Sequence, residues 1–385
     1  MEFNLTWILL GLPAAFVLGW LASRWDLRQV RADSRQAPKA YFKGLNFLLN
    51  EQQDKAIDAF IEAVQNDPDT TELHFALGNL FRRRGEYNRA VRVHEHLLSR
   101  ADLTRPDRDR AQHALAQDFL KAGLLDRAEE ALNRLEGTQY EGEARLALLA
   151  IYERSRDWAQ AAAIVRKMQA AGQGDFSTRL AHYLCEDAQS QVAHGQLDKA
   201  FAQLQQALET APQAPRPRLE LAQLQHRQGR SAQALSSLQA LAQNSPAALP
   251  LAASLLVEVA EATGALAEAR DLLLKHYAQA PSLDLLQALV ALDQKSGDAA
   301  APGRQRLVQH LEHESSLVAA AQWLEGETLT EEQYHATVQK ALNHATKPLT
   351  RYRCAACGFE ARTHFWHCPG CQSWDSYPAR RVEEL

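Results

Sequence analysis

The sequence predicts an all-α chain: a helical repeat array wound into a superhelix, with one apolar segment ahead of it and a four-cysteine knuckle behind it. Three observations predict this. An Ala preceded by a turn recurs about every 34 residues, residues 5–22 carry no charge, and four of the five cysteines crowd into the last 32 residues. Composition agrees. Gly (18) and Pro (14) make only about 8% of the 385 residues, below the roughly 12% of average usage, so helix breakers are scarce. Hydrophobic residues at 46% and charged residues at 23% exclude wholesale disorder. A net charge of -5 excludes a polycation that holds nucleic acid by bulk electrostatics.

The first element is a membrane anchor, residues 1–23. Its uncharged stretch spans about 27 Å as a helix, close to the thickness of a bilayer hydrocarbon core. Trp7 and Trp20 stand near its ends, where interfacial aromatics belong. Glu2 is the one charged side chain before it; Arg24, Arg28, Arg31, Arg35, Lys39 and Lys43 follow it. The positive-inside rule then puts the carboxyl-terminal side in the cytoplasm, with residues 24–36 as a basic juxtamembrane linker. A cleavable signal peptide would carry its basic residues ahead of the apolar run. The competing reading, a buried helix of a soluble protein, fits the length poorly. Gly11, Ala15 and Gly19 share one helix face, where small residues let another membrane helix approach; Gly and Ala are also simply common in such helices.

Residues 37–281 repeat themselves about seven times. The marker alanines are Ala56, Ala90, Ala128, Ala161, Ala200, Ala234 and Ala269, spaced 34, 38, 33, 39, 34 and 35. Twelve residues before each stands a small or apolar residue: Gly44, Gly78, Ala116, Leu149, Ala188, Ala222 and Val257. Four after each stands a larger one: Phe60, His94, Leu132, Val165, Leu204, Leu238 and Leu273. Pro68, Pro212, Pro246 and Pro281 close four units. The small residue and the Ala let two helices cross closely, the large residue fills the space beside them, and Pro cannot continue the second helix. This period and pattern are those of the tetratricopeptide repeat. Units of this kind bury their apolar stripes against their neighbours, so the array is expected to curve, first helices lining the inner wall. Inward positions are then Tyr41, Leu45 and Leu48; Phe75, Asn79 and Arg82; His113, Gln117 and Leu120; and, in the fifth unit, Cys185 and Gln189. Phe75, Asn79, Arg82, His113 and Gln117 are the candidate partner-binding residues, their mix of apolar and polar groups suiting a protein segment. The alternative is that each packs against the adjacent turn.

Residues 282–347 carry degenerate helical repeats. A first helix is expected over 283–293, a small-residue loop over 297–303, and helices over 304–313, 316–325 and 331–345, with Thr330 as a cap. Pro348 opens the last domain, residues 348–385. There Cys354 and Cys357 are followed, after ten residues, by Cys368 and Cys371. Two such Cys-x2-Cys turns offer four thiolates to one tetrahedral ion, and Gly358 and Gly370 supply backbone freedom for the turns. So short a domain lacks an adequate core, so metal must contribute to its folding. Zinc is favoured, since four thiolates close its shell; iron also accepts four sulfurs. Disulfides are the remaining option, and cytoplasmic placement argues against them. His364 and His367 are surplus to four sulfurs and read as surface or packing residues. Phe359, Phe365, Trp366 and Trp374 exceed what the knuckle needs, and some are expected to dock it on the last helices. Cys185, alone on a helix, reads as a small core residue. No catalytic set can be assembled: there is no phosphate-binding Gly loop, and His94-Glu95-His96 lacks the four-residue histidine spacing of a zinc protease. The chain is expected to be no enzyme.

The order of anchor, basic stretch, repeats and knuckle resembles the lipopolysaccharide assembly protein B family of Gram-negative bacteria. The strings that carry the resemblance are Asn46-Phe47-Leu48-Leu49, Gln52-Gln53-Asp54-Lys55-Ala56, Gly78-Asn79-Leu80-Phe81-Arg82, Tyr352-Arg353-Cys354-Ala355-Ala356-Cys357-Gly358-Phe359 and Trp366-His367-Cys368-Pro369. Residues 137–345 resemble it in layout only. The resemblance implies an inner-membrane adaptor facing the cytoplasm that helps a membrane-bound AAA+ metalloprotease degrade the deacetylase committing precursors to lipid A, and so restrains lipopolysaccharide biosynthesis. It implies a second inner-membrane regulator acting partly through the membrane helix, and a rubredoxin-like knuckle packed on the repeats, with Cys354, Cys357, Cys368 and Cys371 as the metal ligands. A scaffold gathering lipopolysaccharide enzymes and a rubredoxin-like redox protein are the alternatives.

Overall fold

The computed structural model describes Phe16, Leu18, Trp20 and residues 42–47, 49–50, 52–66, 70–295, 301–325, 327 and 332–385. Apart from Phe16, Leu18 and Trp20, the expected membrane helix, with Gly11, Ala15 and Gly19, lies outside them, as do the linker 24–36, Tyr41, Leu48, Pro68 and Thr330. Among the described residues one helical run, Pro246–Thr263, is long and apolar enough to cross a membrane; 44% of it is buried. Its Leu249, Ala252, Leu256, Val259 and Ala260 have no exposed surface, so its hydropathy reflects the core of the repeats.

Packing divides the chain into two compact units, 1–156 and 157–385. In the first, a helical stretch at 42–47 precedes α1 (Gln53–Asn66), α2 (Thr71–Arg84), α3 (Tyr87–Ser99), α4 (Arg105–Ala122), α5 (Leu125–Asn133) and α6 (Glu141–Ser155). The second holds α7 (Trp158–Ala170), α8 (Ser177–Ala193), α9 (Leu197–Thr210), α10 (Pro215–Arg227), α11 (Ser231–Asn244), α12 (Leu249–Thr263), α13 (Leu266–Gln279), α14 (Leu283–Lys295), α15 (Ala301–His313), α16 (Leu317–Glu325) and α17 (Glu332–Thr346). A two-stranded antiparallel ribbon, β1 (Tyr352–Arg353) with β2 (Glu360–Ala361), follows.

The repeat arithmetic explains the helices. All seven marker alanines are buried, six of them at 0% exposure, and so are the large residues four positions later. The close approach is visible at Gly78: a Cβ there would lie 2.5 Å from His94 Nε2. One turn recurs at five first-helix ends. A glycine at positive φ (Gly85, Gly123, Gly195, Gly229, Gly264) is followed by a residue whose N–H reaches the carbonyl five positions back, as Glu86 does to Phe81. This is the Schellman closure, and glycine enters it without a Cβ penalty. Arg156 takes the same left-handed conformation (φ 59°) after α6, where no glycine is present.

The degenerate segment is helical where the sequence indicates, with one difference: α15 starts at Ala301, so 301–303 belong to a helix rather than a loop. Gly303 there sits against Val290 of α14, 3.3 Å from where a Cβ would be.

Candidate metal centre

The knuckle is built from two similar turns. After Cys357, Gly358 adopts φ 78° and its N–H donates to Cys354 O at 2.9 Å. After Cys371, Gln372 adopts φ 61° and its N–H donates to Cys368 O at 2.9 Å. The sequence assigned the second turn's freedom to Gly370; the left-handed residue is Gln372. Gly370 instead lies close under Phe359, where a Cβ would meet that side chain at 3.3 Å. Tyr352 pairs with Ala361 and Arg353 with Glu360 across the ribbon, and the Arg353 guanidinium holds Glu360 at 2.8 Å.

These turns bring the four sulfurs within 4.8 Å of one another. Cys354 Sγ lies 3.8 Å from Cys371 Sγ, and Cys357 Sγ lies 3.7 Å from Cys368 Sγ. A tetrahedral ion with metal–sulfur bonds of about 2.3 Å has edges of about 3.8 Å, so the donor set fits one tetrahedral metal ion of zinc or iron size. Burial works against the Cys354 thiolate, yet hydrogen bonding with Ser376 and the N–H groups of Cys357 and Ala356 brings its thiol down to about 6, toward the form a metal takes. Cys354 and Cys368 are buried with Tyr352 and Tyr377 in a small core that touches Leu251 of α12.

The surplus side chains fasten this domain to helices of the second unit. Trp374 stacks on His182 of α8 (4.8 Å between centroids) and meets Tyr183 and Trp158 edge-on at 5.8 and 6.0 Å. His367 stacks on Trp374 at 4.4 Å, and His364 sits edge-on to Trp366 and Tyr352, its Nε2 bonded to Tyr377 O at 3.0 Å; both histidines are packing residues. Burial pushes His364 below its ordinary range. Trp366 also packs against the core of α10–α14, Phe365 rests on Tyr377, and Phe359 is exposed. The aromatic dock is therefore on α7, α8 and α12 rather than on the last helices. Polar bonds extend it. His182 Nε2 meets Asp375 Oδ2 at 2.8 Å. Tyr352 Oη donates to Asp284 of α14, which also holds Arg381. Burial and then Asp284 push the Tyr352 hydroxyl up.

Beneath the dock lies a buried charge cluster that the sequence did not reveal. Arg216 of α10, 1% exposed, donates to Glu220 at 2.6 Å and Glu186 at 2.8 Å. Burial opposes its charge, but Glu220, Cys185 and Glu186 carry its pKa above the free value. Burial raises Glu220 against the pull of Arg216. Cys185 is fully buried, and burial raises its thiol well above the ordinary range, so it is an inert core residue and no part of an inward surface. Gln189 of the same helix is exposed.

The candidate partner residues lie in the first unit. Asn79, Arg82, His113 and Gln117 are half-buried on α2 and α4, and the structure links them. Arg82 donates to Asn79 Oδ1 at 2.5 Å and to Asp118 Oδ1 at 2.8 Å. Gln117 Nε2 lies 3.2 Å from His113 Nε2, and His113 stacks on Tyr140 at 4.5 Å. Burial lowers His113; Glu143 opposes the shift and Arg82 adds to it. Phe75 is a correction: at 1% exposure it packs with Leu97, Leu103 and Ala111 under the Arg110 guanidinium, and offers no partner a surface. Asp118, fully buried, also accepts from His94 Nδ1 at 2.5 Å. An acid at a first-helix position facing a histidine in the large-residue slot was the available signal.

Comparison with known proteins matches this geometry. Residues 352–377 match the rubredoxin metal binding domain, and 43–93, 113–176 and 191–256 match tetratricopeptide repeat models. A tetratricopeptide repeat protein of Parabacteroides merdae is similar over 67% of this chain and 99% of its own, at 16% identity and TM-score 0.32. Lipopolysaccharide assembly protein B of Haemophilus influenzae is 28% identical over 96% of both chains. Its Escherichia coli K12 counterpart is 29% identical over 98% of this chain and 99% of that protein. With repeats and four-thiol knuckle both matched, the chain is similar over nearly its whole length to lipopolysaccharide assembly protein B.

Proposed function

We propose that this protein is an inner-membrane adaptor that regulates lipopolysaccharide biosynthesis by promoting destruction of the deacetylase committing precursors to lipid A. The observation that carries the reading is the alignment with lipopolysaccharide assembly protein B, which spans 98% of this chain and includes both repeats and knuckle. Residues 1–23 anchor the chain, Gly11, Ala15 and Gly19 meet a second membrane protein, and the rest lies in the cytoplasm beside a membrane-bound AAA+ metalloprotease. Confinement to one membrane raises the effective concentration of adaptor and protease without any new contact. Asn79, Arg82, His113 and Gln117 form the partner-facing surface in the first unit. The knuckle takes one zinc ion on Cys354, Cys357, Cys368 and Cys371; bound metal braces the fold and performs no reaction.

The test is the lifetime of the deacetylase in cells carrying the full chain or a chain lacking residues 1–23. The adaptor reading expects the deacetylase to persist when the anchor is absent, while the soluble part stays folded. Unchanged turnover rejects tethering. The word "assembly" in the relatives' name favours a second reading, a scaffold that gathers lipopolysaccharide enzymes. Captured enzymes whose lifetimes ignore depletion of this protein would select it.

A further inference from the structure

The loop from Gln372 to Ser376 touches two systems at once. On one side it is wired to the thiols. Cys368 N–H donates to Ser373 O at 2.9 Å, and Ala355 N–H to Ser376 O at 2.7 Å. Ser376 Oγ lies 3.2 Å from Cys354 Sγ, and Ser373 Oγ lies 3.3 Å from Cys371 Sγ. On the other side it carries the dock: Trp374 stacked on His182, and Asp375 accepting from His182 Nε2. That bond leaves His182 Nδ1 as an acceptor facing Arg216 Nη1 at 3.4 Å, and Arg216 is fixed in turn by Glu186 and Glu220. Two loop residues without glycine's freedom, Gln372 (φ 61°) and Asp375 (φ 50°), hold left-handed backbone. Such conformations persist only where the surroundings impose them.

We propose that metal binding and docking of the knuckle are one coupled equilibrium. His182 and Trp158, outside the four-thiol site, set how tightly that site keeps its metal, and loss of the metal lifts the loop and uncovers Trp158, His182, Tyr183 and Arg216. The coupling is reciprocal by thermodynamic necessity: a helix face that binds only the metal-closed loop stabilises the closed site by the same factor. The knuckle is too small to keep its shape without metal, so the thiol-side contacts that help hold Gln372 and Asp375 left-handed are lost once the sulfurs separate. The proposal does not depend on the adaptor reading.

The experiment uses the zinc-loaded full chain and an excess of a coloured chelator. Zinc transfer is expected to be at least about tenfold faster from His182→Ala, Trp158→Ala and Asp375→Asn than from the unaltered chain, within the usual range of such couplings. Arg110→Ala, in the first unit, should leave the rate unchanged. Asp375 lies at the surface, its side chain 46% exposed, so Asp375→Asn tests the link even if a core variant fails to fold. Removing zinc from the unaltered chain should also raise amide exchange in α8 at residues 177–193. Transfer rates within twofold of the unaltered chain in all three variants, or unchanged exchange in α8 after zinc removal, would overturn the proposal.

Discussion

Gly78 shows how one residue decides a helix crossing. Replacing it with Ala improves helix propensity by about 1 kcal/mol. The new methyl, however, would stand 2.5 Å from His94 Nε2. His94 has no room to retreat. Its ring is fully buried, and Nδ1 is fixed on the equally buried Asp118, which Arg82 holds from the other side. Overpacking of this kind costs about 1–3 kcal/mol, so the clash outweighs the propensity. Gly78→Ala is expected to destabilise the first unit by up to about 2 kcal/mol in urea denaturation. Combining it with His94→Ala should make the Ala at 78 neutral or favourable, a coupling that a double-mutant cycle reads directly. Equal costs of Gly78→Ala with and without His94 would refute the steric account. Arg82 and Asn79, candidate partner residues, are the half-buried end of this network, so their positions are set from inside the fold.

At the scale of elements, two helix starts rely on the last residues of the chain. Glu383 accepts from Leu317 N–H at 2.5 Å and Val318 N–H at 3.1 Å, capping α16. Glu384 accepts from Leu283 N–H at 2.7 Å, capping α14. A capping oxygen is worth about 0.5–2 kcal/mol, and a negative charge at a helix start adds to it. Glu383→Ala and Glu384→Ala should each lower the stability of the second unit by about that amount, and Glu383→Gln by less, since it keeps an acceptor. Denaturant midpoints of the full chain measure this; midpoints that do not move would show the caps to be idle. These caps also mark the limit of what the sequence discloses. The helices were legible because Gly or Ala, Ala and a large residue recur at fixed offsets, a pattern carried by local spacing. The four thiols were legible because Cys-x2-Cys fits one turn. The caps join Glu384 to Leu283, and the dock joins Asp375 to His182, 193 positions apart. Pairs so distant leave no period to read. The second knuckle turn was misassigned for a related reason: glycine signals freedom, yet here Gly370 lies close under Phe359, and Gln372 is forced into the left-handed region by the loop around it.

For the whole molecule, buried histidines set the response to acid. Burial holds His276, His310 and His364 in the second unit, and His113 in the first, below the ordinary value of 6.5. Below pH 6.5 the unfolded chain therefore binds more protons than the folded one, and stability drops as pH falls from 6.5 through each folded value. Burial raises Glu220 and Glu384, which act with the opposite sign. In the range from 4.5 up to their folded values the native chain holds the extra proton, so acidification there relieves a penalty. With three of the four histidines, the second unit should weaken more than the first between pH 7.5 and the onset of that relief. His310 is the residue to change. Its Nδ1 lies 2.6 Å from Tyr277 Oη, a bond in which a neutral ring accepts the hydroxyl proton and which a charged ring can keep only by reversing it, with Nδ1–H donating and the hydroxyl proton turned elsewhere. His310→Asn should keep a polar acceptor while removing the titration. Amide exchange in α13 and α15 should then rise less steeply on acidification than in the unaltered chain, with α2 and α4 responding alike in both. An unaltered slope in His310→Asn would mean that this ring is already charged at neutral pH or that its protonation does not weaken the packing around it.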